Sequence, residues 1–200
     1  YFLTWLYTPS HNPKIVSGVH DGTTPLKVAQ NPSSRGAIPL LRSVNQEDGI
    51  EFTYSVWLNI KDLDVTDQKY KHIFHKGNYG FIKKGPSNGL SYPNNSPGLY
   101  IHPTRNDLVI LVNTFNDVVE EIVVSDIPLN KWINLMVRVE GNVVDVYVNG
   151  TIVVRHELNG VPRQNYEPVY VCQNGGFNGR ISDLWYHNYA LNTSEILDIV

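Results

Sequence analysis

Cleaving a glycosidic bond with retention takes two carboxylates about 5–5.5 Å apart. On one strand that spacing comes from acids at alternate positions, whose side chains share a face. The sequence places no such pair in a strand-like stretch. Glu51 is followed on its face by Thr53 and Ser55, Asp145 has Val143 and Tyr147 beside it, and Asp183 has Trp185 and His187. Asp62 and Asp64 do alternate, but with Asp67 in DLDVTDQKY, which reads as a polar loop. Their oxygens make a candidate calcium loop, although the glycine of an EF-hand loop is missing and solvation is the ordinary explanation. No Gly-x-Ser-x-Gly elbow is present. The single cysteine, Cys172, falls in the apolar run PVYVCQ, where burial would leave it inert. The two-residue period of a strand puts His72 and His75 of KHIFHK on opposite faces, so they cannot share a zinc ion. No catalytic residue is assigned.

Binding a sugar asks for exposed aromatic faces beside amides and carboxylates, because sugars offer C–H faces and hydroxyls together. Residues 88–97, with Tyr92, Asn94 and Asn95, and residues 173–178, with Asn174 and Phe177, have that character. These five are the candidate ligand-binding residues; both stretches also have the composition of ordinary turns. Asn94, Asn149 and Asn192 each open an Asn-x-Ser/Thr sequon that could carry sugar. Asn149 lies in a tight turn, where its tolerance of positive φ is reason enough for it.

The elements that must position these residues are legible around residues 131–158, KWINLMVRVEGNVVDVYVNGTIVVRHEL. Ile133, Leu135, Val137 and Val139 share one face, then Val144, Val146 and Val148, the period of half-buried strands. Glu140-Gly141-Asn142 and Asn149-Gly150 supply the turns. A three-stranded meander with one apolar face must bury it against a second sheet. Residues 51–60, EFTYSVWLNI, alternate likewise, with Trp57 on the otherwise polar face, either covered by another segment or offered to a partner. Further strands are expected at residues 37–43, 71–76, 80–83, 98–102, 107–113, 120–125, 168–173 and 177–187. Residues 85–97 form a long loop, and the tail 193–200 is a helix capped by Asn192 or Thr193 with Glu195 in its first turn. About twelve strands and one terminal helix predict an all-β, two-sheet antiparallel jelly-roll sandwich over residues 37–200.

Residues 8–34 are broken by prolines and glycines and read as an extended arm with one or two short strands. That arm, residues 1–36 in all, packs along the sandwich or reaches a neighbouring molecule. The opening YFLTWLY is either an apolar N-terminal strand or the tail of a membrane anchor lying upstream of Tyr1; it falls far short of the roughly 20 residues of a span. A formal net charge of −3 and a pI near 6.2 give no electrostatic reason to expect nucleic acid as a partner. One cysteine excludes an internal disulfide framework.

Four pieces of text together carry a resemblance: EFTYSVWLNI, HIFHKGN, NKWINLMVRVEGNVVDVYVNGTIV and FNGRISDLWYHNYALNTSEI. With Trp132 opening a strand, Tyr147-Val148-Asn149-Gly150 at a hairpin and Phe177-x-Gly179-x-Ile181-x-Asp183, the chain resembles the concanavalin A-like, laminin-G-like (pentraxin-like) sandwich family from about Ile38 to Val200. That family includes lectins, glycosidases, pentraxin-like binders and structural modules. The resemblance implies a calcium ion in some members, and puts Asp183 where one ligand would fall. IPLLRSVNQEDGIEFTYSVWLNI is further similar to laminin-G-like proteins of large DNA viruses of algae and protists, which implies a virion component. The expectation is therefore a non-catalytic structural or attachment module of a capsid or virion surface, touching neighbouring virion or surface proteins or glycans. Its alternatives are a carbohydrate-binding lectin domain, with or without calcium, at an extracellular or cell surface, and a glucanase-like glycosidase.

Overall fold

The computed structural model describes residues 8–200. The expectations for YFLTWLY lie outside the described residues. Thirteen strands are described: β1 (Lys14–Asp21), β2 (Leu26–Val28), β3 (Val44–Gln46), β4 (Gly49–Ile60), β5 (Lys71–Gly77), β6 (Asn95–Ile101), β7 (Asp107–Val112), β8 (Glu120–Ser125), β9 (Trp132–Gly141), β10 (Val143–Val148), β11 (Thr151–Glu157), β12 (Val169–Val171) and β13 (Gly179–His187). The chain then enters helix α1 (Thr193–Ile199). The strands form two antiparallel sheets packed as a jelly-roll sandwich. One runs β1-β13-β4-β9-β10-β11 with β3 on the start of β4, and the other runs β2-β12-β5-β6-β7-β8.

The alternation read from the sequence becomes the core. Phe52, Tyr54, Val56, Leu58 and Ile60 of β4 and Ile133, Leu135, Val137 and Val139 of β9 meet Leu108, Ile110 and Val112 of β7 in one buried cluster. Each such side chain contributes about 1.5–3 kcal/mol by leaving water. The meander β9-β10-β11 has the expected hairpins, with Gly141 and Asn149 at positive φ. Its last strand is a largely exposed edge. On the outer face of the same sheet α1 buries Met136 beneath Leu191 and Ile196. Asn192 caps it in a reciprocal box, accepting from the Glu195 N–H at 3.1 Å while Glu195 accepts from the Asn192 N–H at 2.8 Å.

The N-terminal segment takes the first of its two expected fates. β1 pairs with β13 and β2 with β12, so it supplies one edge strand to each sheet, opposite the edges formed by β11 and β8. Two expected strands are absent. Residues 37–43 form no strand: Leu40 N–H donates to Gln30 Oε1 and Ile38 N–H to Ala29 O, and regular pairing starts only at Val44. Residues 80–83 make one isolated bridge, Phe81 to Ser91, because the loop folds back on itself.

Expected and observed structure differ most in β5. Its pairing with β6 slips by one residue between His72 and Phe74, a β-bulge that leaves Ile73 and Phe74 both in the core. His72 and His75 therefore share the outer face, contrary to the strict period of two. They are buried there, against Phe81, Tyr100 and Tyr170. Gln173 N–H donates to His72 Nδ1 at 2.9 Å, His72 Nε2 meets His75 Nδ1 at 2.6 Å, and His75 Nε2 meets Asn78 O at 3.0 Å. A backbone amide can only donate and a carbonyl can only accept, so both tautomers are fixed and both rings are neutral. Burial, and for His72 the neighbouring ring, holds both pKa values below the usual histidine value, His75 at about 4.

Candidate functional site

Several residues singled out for ligand chemistry are engaged in the fold. Phe177 is 2% exposed and belongs to the central core, tucked in where its N–H donates to Gly22 O at 3.0 Å. It presents no ring face to a sugar. Asn95 is equally buried; its Nδ2 donates to Ser91 O and its Oδ1 accepts from the Tyr100 hydroxyl. Asn94 is half-buried and its backbone exchanges hydrogen bonds with Asn78. Asn174, at positive φ in a turn, accepts from Lys83 Nζ at 3.1 Å. Tyr92 alone of the five stands clear, 54% exposed. Of the sequon asparagines, Asn149 holds its hairpin by accepting from Asn134 N–H, and Asn192 is the exposed cap of α1.

The candidate metal ligands already have cations or donors. Asp183 sits on a bulge of β13 at positive φ, with Lys14 Nζ at 2.7 Å, Gly18 N–H at 3.2 Å and the Ser182 hydroxyl at 2.9 Å. The Lys14 ammonium, hydrogen-bonded to it, holds its carboxyl below the usual aspartate range. In the loop before β5, Lys71 bridges Asp64 and Asp67 and Lys69 pairs with Asp67, while Asp62 accepts from Asn178. Among the described residues no group of three or more His, Cys, Asp or Glu side chains is arranged to hold a metal ion. Thermal midpoints measured in excess calcium and in chelator should therefore coincide. A midpoint raised in calcium alone would contradict the lysine pairing of these acids.

Glycosidase chemistry meets the same obstacle. Both Asp145 oxygens are held by arginines, Arg155 at 2.7 and 2.8 Å and Arg138 at 3.2 Å. Glu51 accepts from Gln46 and from the Ala190 N–H. Cys172 is buried, and burial pushes its thiol up to about 12, away from nucleophilic use.

The arrangement suited to a ligand lies at one end of the sandwich. A cleft of about 690 Å³ opens between the β3–β4 turn, the turn after β7 and the loop of residues 159–167. Phe115 and Tyr166, each 66% exposed, project on its margin. Backbone bonds pin the walls: Phe115 N–H to Val161 O and Arg163 N–H to Asn113 O, both 3.0 Å. Gln164 Nε2 ties the loop to Ser43 O and Asn45 Oδ1, and Asn165 ties it to Lys76 O and Ser96 O. The Arg163 guanidinium lies 4.9 Å from the Phe115 ring centre, a cation–π contact. Arg42 donates to Asn45 Oδ1 at 3.0 Å. Beneath the loop, buried Lys76 donates to Glu167 O at 2.5 Å, and burial lowers its pKa to about 8. A second, shallower depression of about 350 Å³ on the outer face of the β4–β9 sheet is lined by Val19, Trp57, Trp132, Ser182 and Asp183. Trp57 is there half-buried and Trp132 39% exposed.

The end cleft was missed by sequence reasoning because its walls come from residues about 40, 115 and 165. A local signal did exist: Phe115 in NTFND and Tyr166 in RQNYE are large aromatics inside turns, where no periodic face buries them.

A family model described as the concanavalin A-like lectin/glucanases superfamily, a laminin-G model, matches residues 34–197. No curated protein sequence matches the chain. Among solved structures, the ligand-binding domain of botulinum neurotoxin serotype D, in complex with N-acetylneuraminic acid, is similar at a TM-score of 0.60 and 12% identity, over 93% of this chain and 50% of that one. The binding domain of Paraclostridial mosquitocidal protein 1 aligns at 0.59 and 16% identity, over 94% and 46%. A Trypanosoma rangeli sialidase aligns at 0.58 and 14% identity, over 94% of this chain and 28% of the enzyme. The chain thus spans half or less of each of these three, and at such identities the likeness is one of fold.

Proposed function

This chain belongs to the concanavalin A-like lectin/glucanases superfamily, and on that premise we propose that it is a non-catalytic attachment module that binds glycans in its end cleft. The observation that carries this is the meeting of two exposed aromatics, Phe115 and Tyr166, with the amides of Asn45 and Gln164 and the guanidinium groups of Arg42 and Arg163 around one opening. Rings supply flat apolar faces for sugar C–H groups and the polar side chains supply hydroxyl partners. The ligand-binding and binding domains among its structural relatives support the same reading. The engaged state of Glu51, Asp145 and Asp183 favours a binder over a hydrolase. The similarity of residues 38–60 to viral laminin-G-like proteins supports a place on the virion of a large DNA virus, where the cleft would face a host glycan. A second reading, docking to a neighbouring virion protein, is favoured by the open Trp57 and Trp132 depression.

A glycan array probed with the purified chain, in calcium and again in chelator, tests the first reading. Binding to one glycan class is expected in both conditions, weakened about tenfold or more when Phe115 and Tyr166 are both changed to alanine. Silence in both conditions would sink the glycan reading and leave the protein-docking one.

A further inference from the structure

We infer that the end cleft selects glycans bearing a carboxylate, the sugar acid being held by Arg163 with Arg42 beside it. This rests on the glycan reading of the cleft and narrows it to a ligand class. Among the described residues neither arginine has an acidic partner. Arg105, Arg138 and Arg155 are paired with acids, whereas these two line one opening with their charges unmatched. The Arg163 side chain makes no hydrogen bond to the described residues; it contacts the Phe115 ring at 4.9 Å, which leaves its N–H groups available. A planar fork of that kind matches a carboxylate in two parallel hydrogen bonds, which a neutral sugar cannot offer.

The surrounding groups fit the rest of such a ligand. Gln164 uses its amide NH₂ on Ser43 O and Asn45 Oδ1, which leaves its own oxygen as an acceptor for hydroxyls. Tyr166 supplies an apolar face. Charge in the neighbourhood points the same way: Arg42 and Arg163 share the cleft with one acid, Glu47. Of the two adjoining recesses that Arg163 also lines, one holds buried Lys76 and the other Glu167, so one positive charge stays in excess. A bound carboxylate would balance this excess through charge-assisted hydrogen bonds.

The test pairs each acidic glycan, sialylated or uronate-containing, with the same glycan after reduction of its carboxyl to an alcohol, titrated against the wild-type chain. Tighter binding of the acid by about tenfold or more is expected, the scale of a charge-assisted bidentate contact. Which of the two acid families binds identifies the source of the carboxylate. Arg163→Ala should remove that preference, lowering affinity for the acid by far more than affinity for the reduced glycan, and Arg163→Lys should restore it only in part. Arg163 is exposed, so folding is expected to survive, and Arg42→Ala provides a second, smaller loss. Equal affinity for acid and reduced forms would overturn the inference while the glycan reading stands. Stronger binding of sulfated than of carboxylated glycans would overturn it too. Absence of all glycan binding would overturn the glycan reading and this inference together.

Discussion

Replacing Phe177 with alanine is expected to remove about 3–5 kcal/mol of folding free energy, the scale of a large aromatic deleted from a packed core. The ring is 2% exposed and sits in the cluster shared by both sheets. Its surroundings are stiff. Gly22 and Gly179 approach it so closely that a Cβ on either would collide with Phe177 or with neighbouring backbone. Gly176, beside it, is at positive φ with no room for a side chain against Gly22. The cavity left by alanine therefore has little freedom to collapse. Urea denaturation should show the midpoint falling at unchanged slope, with glycan affinity of the folded fraction intact. A loss under about 1 kcal/mol accompanied by lost binding would instead return Phe177 to the ligand-binding surface.

Acidification should destabilise the protein through the buried histidine pair. An unfolded histidine titrates near 6.5, whereas His75 in the fold titrates near 4 because burial penalises its charged form. Between those two values the unfolded chain takes up a proton that the folded chain refuses. This contribution is intact above pH 6.5 and is lost progressively as pH falls towards 4. At about 1.4 kcal/mol per pH unit, the full window is worth about 3 kcal/mol, and His72, displaced the same way, adds to it. The geometry gives the same sign. A proton added to His75 Nδ1 sets N–H against N–H across the 2.6 Å contact with His72 Nε2, and one added to His72 Nδ1 meets the Gln173 N–H instead. The bond from His75 Nε2–H to the Asn78 carbonyl favours the charged ring, but burial outweighs it. Denaturation followed from pH 7.5 to 4.5 should reveal the slope. His75→Gln, which keeps hydrogen-bonding atoms without titrating, should flatten it. A slope equal in that variant and the wild type would place the acid sensitivity elsewhere.

The sandwich was legible where patterning is local. Ile133 to Val139 and Val144 to Val148 alternate without interruption, and Asn192 with Glu195 spells a helix start in four residues. The pattern misled where one extra residue changes the face. Ile73 is such a residue, and nothing in KHIFHK announces the bulge that brings His72 and His75 together. Phe177 misled for a related reason. An aromatic after Asn-Gly-Gly looks exposed, yet the positive φ values of Asn174, Gly175 and Gly176 turn the chain inward and deliver the ring to the core. Asp183 showed its likeness to a metal ligand in the sequence, but not Lys14, its partner 169 residues away. The end cleft is the extreme case, since Arg42, Phe115 and Arg163 become neighbours only once both sheets are closed.

On the glycan reading the ligand enters the end cleft, and not the loops of Tyr92 and Asn174. Amide and side-chain chemical shifts recorded while titrating the best acidic glycan from the array test it most directly. Perturbations confined to Asn45, Phe115, Arg163, Gln164 and Tyr166 are predicted. Perturbations centred on Tyr92 and Asn174, or on Trp57 and Trp132, with the cleft silent, would contradict it.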